Sequence, residues 1–484
     1  MKTSTAHGRG KIPLYESVAS RIGQLIDEGT FRSGDRIPSV RALGRQFQVS
    51  LTTVMEAYTL LEDRGVIEAR PQSGYYVRPR FPGTAEPEMT APPSSPTTVS
   101  TGELAMMVMR DTRNPDLVPL GAAIPNPELL PVDRLNRMLS SETRRFPVAS
   151  VSYDIPPGCE RLRVQIARRM LAAGCAVTPD QIVTTSGCIE AVLLSLRAVC
   201  RPGDTVAVES PVYYNFLQVI DLLGLRALEI PTHPRTGMSI DALRYAMDHT
   251  LIKACLVVAN FNNPLGSLMP DDHKRELVEL LGGRGIPLIE DDIYGDLSLS
   301  PERPRAAKAF DTRGLVLYCT SVTKTVAPGY RVGWVAPGRF QREVERLKAV
   351  TTIACSTPTE LAVAEFLANG GYDHHLRRIR RIYARQLSLM AEAVGRFFPP
   401  GTRVTRPAGG FVLWVECPPA VDSLLLYEQA LKAGITIAPG PIFSATGKYR
   451  NCIRLNAAWW DERVERAIET LGSLAAAMTG RETK

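Results

Sequence analysis

The sequence predicts an α/β protein in two folded parts joined by a linker. At 484 residues the chain is longer than one ordinary core, so two or three domains are expected. Residues 79–102 contain six prolines and few apolar residues, which is typical of a partly extended linker. From residue 103 to about 478, apolar strand candidates alternate with amphipathic helices, which predicts a mostly parallel sheet covered on both faces.

The first part, residues 11–78, is expected to form three short helices and a two-stranded hairpin. Apolar residues at spacings of three and four predict these buried helix faces: Val18, Ile22, Leu25 and Ile26; Val40, Leu43 and Phe47; Val54, Ala57, Tyr58 and Leu61. Ser39 can cap the second helix, and the third begins at Val49-Ser50. Residues 65–69 and 75–77 predict two strands. The order is typical of a helix-turn-helix with a wing, whose recognition helix enters the DNA major groove.

Residues 12–78 resemble the winged helix of GntR-type bacterial regulators. The resemblance is carried by Pro13-Leu14-Tyr15, by Gly34-Asp35-Arg36-Ile37-Pro38-Ser39-Val40-Arg41 and by Ser73-Gly74-Tyr75-Tyr76-Val77. It implies double-stranded DNA as a partner, contacted by Arg41, Ser50, Thr52, Thr53 and the wing. The alternative is an ordinary small helical domain with surface charges. The turn, helix and wing signals all agree with each other, which favours the regulator.

The recognition helix departs from that family's pattern. Leu51 and Met55 stand where a polar donor is usual. Phosphate contacts are therefore expected to carry more of the DNA affinity. They are expected from Arg41, Arg45, Arg70 and the backbone amides of Ser73 and Gly74.

Charge and cysteine usage narrow the class of protein. The net charge is +7, and residues 1–80 carry 12 Lys/Arg against 8 Asp/Glu, which permits a nucleic-acid partner for this part. The nine cysteines show no zinc spacing, so no metal is expected and the thiols fit a reducing compartment. Neither a signal peptide nor a membrane span is apparent, so we expect a cytoplasmic bacterial protein without membrane contact. His374 and His375 lie in a basic segment that predicts a solvated helix face.

One stretch of the larger part predicts covalent cofactor chemistry. Lys324 follows the apolar run 315–319, with Ser321 before it and Arg331 seven residues after it. Pyridoxal phosphate needs an amine for its aldehyde, and hydroxyl and guanidinium donors for its phosphate. A solvated lysine after a strand is far commoner, so this pattern alone is weak.

Other motifs also stand at predicted strand ends. Ser186-Gly187-Cys188 lies between a strand and a helix start, where free amides suit a phosphate, although an ordinary helix cap is the simpler interpretation. Tyr213 can stack on a flat ring or belong to the core. Asn262-Asn263-Pro264-Leu265-Gly266 forms a turn that projects amides. Glu290-Asp291-Asp292 places three carboxylates after an apolar strand, which is costly unless a cation such as a pyridinium is near.

Taken in order, these motifs resemble fold type I aminotransferases over roughly residues 105–475. The resemblance implies that Lys324 is the catalytic amine that binds the cofactor and that Asp291 pairs with its ring nitrogen. Further implied cofactor contacts are Asn263 and Tyr294 at the 3-oxygen, Tyr213 over the ring, and Ser186, Gly187, Ser321 and Arg331 at the phosphate. Tyr153 resembles a tyrosine that reaches the phosphate from a second subunit, which implies a homodimer. Arg454 resembles the arginine that binds an amino acid's α-carboxylate, and Ala123 departs from a frequent glycine.

A GntR-type winged helix joined to an aminotransferase-like domain resembles the MocR subfamily of bacterial transcription regulators. That resemblance implies a regulator that senses pyridoxal 5'-phosphate or its adduct with an amine or amino acid effector. Because the residue set is intact, an active aminotransferase that carries a DNA-binding domain is the alternative. A third hypothesis is a dimerising scaffold that binds no cofactor.

Overall fold

The computed structural model describes residues 13–28, 30–31, 35–70, 73–77, 84–89, 95–99, 102–111, 114–300 and 302–480, with backbone only at Asp27 and Arg70. It divides the chain into two compact units, residues 1–83 and 84–484. Among the described helices, none has both the length and the apolar composition needed to cross a bilayer.

The smaller unit has the expected three helices and hairpin. Its elements are α1 Leu14–Asp27, α2 Val40–Phe47, α3 Leu51–Asp63, β1 Ile67–Arg70 and β2 Gly74–Val77. The Ser39 and Ser50 hydroxyls accept the backbone amides of Ala42 and Thr53 at 3.3 and 3.0 Å. The cap predicted at Ser39 is therefore confirmed, and Ser50 caps α3 in the same way. The Tyr58 hydroxyl donates to the Pro38 carbonyl, which ties α3 to the turn before α2.

The larger unit is built around an eight-stranded sheet. Its elements up to residue 336 are α4 Gly102–Asp111, β3 Val118–Pro119, α5 Val132–Arg145, α6 Glu160–Met170, β4 Val183–Thr185, α7 Cys188–Val199, β5 Thr205–Ser210, α8 Tyr214–Leu222, β6 Arg226–His233, β7 Gly237–Met238, α9 Ile240–His249, β8 Ile252–Val257, α10 Asp271–Gly283, β9 Leu288–Asp291, β10 Val316–Ser321 and β11 Gly333–Ala336. The strand order is β4-β11-β10-β9-β8-β5-β6-β7. The central pairs are parallel, while β11 and β7 pair antiparallel to their neighbours. This confirms the mostly parallel sheet.

The C-terminal part adds a second, antiparallel sheet. Its elements are α11 Gln341–Thr351, α12 Thr357–Ala368, α13 Gly371–Phe397, β12 Arg403–Val404, β13 Val412–Glu416, α14 Ser423–Lys432, β14 Ile435–Thr436, β15 Ala438–Pro439, β16 Cys452–Asn456 and α15 Glu462–Thr479. The sheet order is β12-β13-β16-β15, and β14 pairs with β3. Helices α13 and α15 pack together over the apolar core of this lobe.

Part of the segment predicted as a linker packs on the larger unit. The Ala85 carbonyl accepts the Val404 amide at 2.9 Å, and Thr97 exchanges two backbone hydrogen bonds with Ala227. The boundary between the units falls after Gly83, earlier than residue 102. Proline-rich chain forms no sheet of its own, but its remaining amides and carbonyls can pair with exposed strand edges.

Candidate functional site

Lys324 lies in the single turn that follows β10. Its Nζ donates to the Ala123 carbonyl at 2.5 Å and lies 5.9 Å from the centre of the Tyr294 ring. Burial and, next, the nearby Arg454 together lower the pKa of the Lys324 ammonium to about 8, and Asp291 opposes both. A lysine with such a pKa is available as a free amine, the nucleophile that an aldehyde needs.

Two of the three consecutive carboxylates are satisfied by the protein itself. Glu290 accepts the backbone amides of Ala307 and Lys308 at 2.6 and 2.9 Å. Asp292 accepts hydrogen bonds from three side chains at 2.5 to 2.8 Å, those of Arg303, Tyr318 and Asn260. Because side chains alternate across a strand, Glu290 and Asp292 share one face of the sheet and Asp291 belongs to the other.

Asp291 is the remaining carboxylate of the three. It is 3% exposed, and its Oδ1 accepts the Ile293 amide at 2.9 Å. Burial raises the pKa of the Asp291 carboxyl to about 7, against the lowering effects of the Ile293 and Cys188 hydrogen bonds and of Lys324. A buried acid with this pKa is stabilised by a cation, such as a protonated ring nitrogen.

The candidate phosphate cradle joins the start of α7 to Arg331. The Arg331 Nη2 donates to the Ser186 carbonyl at 2.8 Å. Gly187 has a φ of +87°, and a Cβ there would lie 2.3 Å from the Arg331 guanidinium. The φ of +87° with ψ of 173° is a conformation that favours glycine, and the lack of a Cβ lets the Arg331 guanidinium lie close. Cys188 is buried as the first residue of α7, while the Ser321 hydroxyl accepts the Thr323 amide at 3.3 Å.

A buried network that the sequence did not reveal supports this cradle. The Ser186 amide donates to Glu190 Oε2 at 2.5 Å, and the buried Lys348 Nζ donates to the same oxygen at 2.9 Å. Cys355 Sγ lies 3.3 Å from Lys348 Nζ. Glu190 and Lys348 are 158 residues apart in sequence, so no local pattern could have found the pair.

Arg454 is fully buried on β16 opposite these groups. Its Nη1 donates to Asn263 Oδ1 at 3.1 Å and its Nη2 to the Gly121 carbonyl. Within the described residues its Nε has no hydrogen-bond partner. A fully buried guanidinium with a spare donor is suited to a carboxylate ligand, because the alternative is an unpaired buried charge.

The two predicted tyrosines also lie in this pocket. The Tyr294 hydroxyl is buried, and the part of the chain that the structure describes offers it no hydrogen-bond partner. The Tyr213 hydroxyl accepts Asn215 Nδ2 at 3.0 Å, and its ring lies 4.9 Å from that of Tyr214. A buried Tyr294 hydroxyl without a protein partner among the described residues is better explained by a ligand ring oxygen to which it can donate than by an apolar core.

His375 differs from the sequence expectation. The residue is 5% exposed, and its Nε2 donates to the Thr325 carbonyl at 2.6 Å, directly after Lys324 in the chain. Burial lowers the pKa of His375 to about 4. The Tyr372 hydroxyl donates to Thr325 Oγ1 at 3.0 Å. Only part of this basic helix is solvated. Its buried His375 and Tyr372 side chains hydrogen-bond to Thr325 and so stabilise the turn that carries Lys324.

Tyr153 lies on the surface, as does Arg331, but unlike Arg331 it contacts no other predicted cofactor residue in the described part of the chain. Its side chain is 79% exposed, next to the exposed Val151 and Ile155. Within one chain it completes no part of the pocket. Its expected role across a dimer interface stays a prediction.

The predicted DNA-contacting residues lie on the smaller unit. Arg41, Arg45, Ser50 and Thr52 are exposed, and Thr53 is half-buried. Leu51 and Met55 are 49% and 56% exposed, so they are not part of that unit's core. At the wing, the Ser73 hydroxyl lies 2.6 Å from the Tyr76 hydroxyl, and Gly74 has a φ of +107°. The Arg70 side chain lies outside the described residues.

Comparison with known families and structures matches both units. Residues 14–77 match the bacterial regulatory proteins of the gntR family, and residues 152–471 match aminotransferase class I and II. The chain is 40% identical to the uncharacterized HTH-type transcriptional regulator YjiR of Escherichia coli, over 95% of this chain and 98% of that one.

Solved aminotransferases share the fold of the larger unit. The multiple substrate aminotransferase of Thermococcus profundus aligns with a TM-score of 0.72 and 26% identity, over 78% of this chain and 95% of its own. The α-aminoadipate aminotransferase LysN of Thermus thermophilus, complexed with N-(5'-phosphopyridoxyl)-L-leucine, aligns with a TM-score of 0.72 and 25% identity, over 77% and 95%. The chain therefore belongs to the MocR subfamily of GntR-type transcription regulators, with a winged helix-turn-helix joined to a fold type I aminotransferase-like domain.

Proposed function

We propose that this transcription regulator senses pyridoxal 5'-phosphate, or its adduct with an amine or amino acid, through the larger unit. The cofactor is pyridoxal 5'-phosphate, which when bound supplies an aldehyde and an electron-withdrawing ring. The observation that carries the proposal is the difference in hydrogen-bond partners among the three carboxylates at 290–292. Glu290 and Asp292 are satisfied by protein donors, while the buried Asp291 remains for a ring cation.

The other pocket residues have complementary tasks. Lys324 presents a free amine, and the orphaned Tyr294 hydroxyl can donate to an oxygen on the ring. Ser186, Gly187 and Arg331 surround a place suited to phosphate. Arg454 has a spare donor for the carboxylate of an amino acid effector.

For such a ligand to regulate transcription, it must bind two arrangements of the protein unequally. We propose a homodimer in which Tyr153 of one subunit completes the phosphate site of the other. Its exposure, and that of the adjacent Val151 and Ile155, supports this role. The exposed Arg41, Arg45, Ser50 and Thr52 support DNA contact by α2 and α3.

The test is DNA binding by the full chain to the region upstream of its own gene and its neighbours. Affinity and footprint are measured without cofactor, with cofactor, and with cofactor plus a panel of amines and amino acids. We expect at least one condition to change affinity or footprint, and Lys324→Ala to abolish the change. Identical binding in every condition would refute ligand sensing while leaving DNA binding intact.

An active aminotransferase is the second candidate, and the complete set of Lys324, Asp291, Tyr294 and Arg454 favours it. Conversion of the cofactor absorbance to that of its amine form, followed with an amino acid panel, separates the two. Slow or absent conversion together with ligand-dependent DNA binding supports the regulator. Rapid multiple turnover without any effect on DNA binding supports the enzyme.

A further inference from the structure

A cavity outside the cofactor pocket lies in the larger unit, beside residues 87–89 near the start of that unit. The cavity has a volume of about 440 Å³, within the range of small-molecule sites. Its roof is Pro87-Glu88-Met89, and its walls include Leu265, Trp414 and Tyr449. None of the residues assigned above to the cofactor lines it. The cavity is therefore a separate space.

The roof is tied down by charged and backbone contacts. Glu88 pairs with Arg403 Nη2 at 3.1 Å, and Glu86 pairs with Arg235. The Ala85 carbonyl accepts the Val404 amide at 2.9 Å. The roof thus begins four residues after the boundary at Gly83, and contacts of residues 85, 86 and 88 hold it against the larger unit.

The charges around the cavity favour a cation. Arg403 and Lys448 are already paired, with Glu88 and with the buried Glu229 at 3.4 Å. Glu416 has a weaker partner, since its ion pair with Arg403 Nη1 spans 3.9 Å. The four charged side chains that line the cavity, Glu88, Arg403, Glu416 and Lys448, sum to zero, and the buried Glu229 that pairs with Lys448 adds one negative charge. Burial also raises the pKa of the Glu416 carboxyl, so a nearby ammonium would stabilise its ionised form.

The walls favour an apolar or aromatic body on that cation. Trp414 and Tyr449 form an edge-to-face pair with ring centres 5.7 Å apart. Leu265, Pro211 and Pro234 supply further apolar surface. We propose that this cavity is a second ligand site that binds a small amine with an aromatic or aliphatic body, its ammonium on Glu416 and its body against Trp414.

Such a ligand would lie against the sheet face that also carries Arg454 of the cofactor pocket. Trp414 is the direct cross-strand partner of Arg454, so their side chains project from the same face of that sheet. Leu265 belongs to the same turn as Asn263, which accepts a hydrogen bond from Arg454. Occupation of the cavity is therefore placed to affect both the roof segment and the carboxylate-binding arginine.

The experiment uses the cofactor-loaded full chain and N,N-dimethylphenethylamine. This tertiary amine carries the ring and the charge but cannot condense with the cofactor. We expect saturable binding by calorimetry, about tenfold or more weaker in Glu416→Gln, because the variant loses a charge-assisted contact with the ammonium. Met89→Trp, at an exposed roof position that tolerates a larger side chain, should also weaken binding by closing the cavity.

Three controls make the result decisive. Glu428→Gln removes an exposed carboxylate of α14 and should bind as the wild type does. Lys324→Ala should also bind normally, which separates this site from the cofactor pocket and its proposed function. The anion 3-phenylpropionate should bind much more weakly. The absence of saturable binding, unchanged binding in both Glu416→Gln and Met89→Trp, or loss of binding in Lys324→Ala would overturn the proposal.

Discussion

Replacing Asp291 by asparagine should stabilise the cofactor-free protein and weaken cofactor binding. The substitution keeps the shape and removes the charge of a carboxyl that is 3% exposed. Its pKa rises from 3.8 to about 7 on burial, which corresponds to roughly 4 kcal/mol. A carboxyl with a raised folded pKa contributes stability below pH 3.8, and this contribution is lost as the pH rises to 7. The gain from Asp291→Asn should therefore be small near pH 4 and reach its full size at pH 8.

The affinity for the cofactor, in contrast to stability, should fall in Asp291→Asn. Loss of a buried charge-assisted hydrogen bond costs roughly 1.5–3 kcal/mol, so the dissociation constant should rise about 10- to 150-fold. The assays are thermal melts of the cofactor-free protein at pH 5 and pH 8, and an absorbance titration with pyridoxal phosphate.

Asp292→Asn is the matched control on the next residue. Because Asp292 pairs with the buried Arg303 at 2.5 Å, its loss should destabilise the protein by roughly 3–5 kcal/mol at both pH values. If Asp291→Asn instead lowers stability at pH 8 as Asp292→Asn does, Asp291 is a structural carboxylate and the assignment is wrong.

Three further outcomes follow from the described contacts. Because the pKa of Lys324 is about 8, its free-amine fraction and the rate of cofactor capture should rise about 50-fold from pH 6 to pH 8 and only about twofold more by pH 10. Stopped-flow absorbance follows the rate, and a rise of about tenfold or more between pH 8 and pH 10 would contradict this pKa. Arg331→Lys should weaken cofactor binding about tenfold because lysine lacks the guanidinium fork, and added free phosphate should compete more strongly in the variant. Ser50→Ala should destabilise α3 by about 1 kcal/mol and weaken DNA binding, because it removes the helix cap. Ser50→Asp should restore the cap, and equal melting temperatures of the two variants would exclude the capping role.

Local patterns predicted the strands that carry the chemistry. Apolar runs before Ser186, Asp291 and Lys324 became β4, β9 and β10, because buried parallel strands are apolar on both faces. The helix cap at Ser39 was predicted for a similar reason, since capping depends on neighbours within three residues.

Contacts between distant residues could not be predicted in this way. The sequence suggested that all three carboxylates at 290–292 needed a cation, but the structure brings Arg303 and the amides of residues 307 and 308 to two of them. The Glu190–Lys348 pair and the packing of residues 84–89 likewise depend on tertiary structure. Composition alone indicated that the latter segment was free of contacts.

The hydrogen bond between the Ser186 amide and Glu190 already occupies one amide of the proposed phosphate site. An incoming anion that takes this amide must first displace a carboxylate already seated there and anchored by Lys348. The apparent affinity for any such anion is then a difference between two free energies, that of binding the anion and that of releasing Glu190 from the amide. Weakening the hydrogen bond between Glu190 and the Ser186 amide would raise the affinity for the anion without adding a contact to the anion.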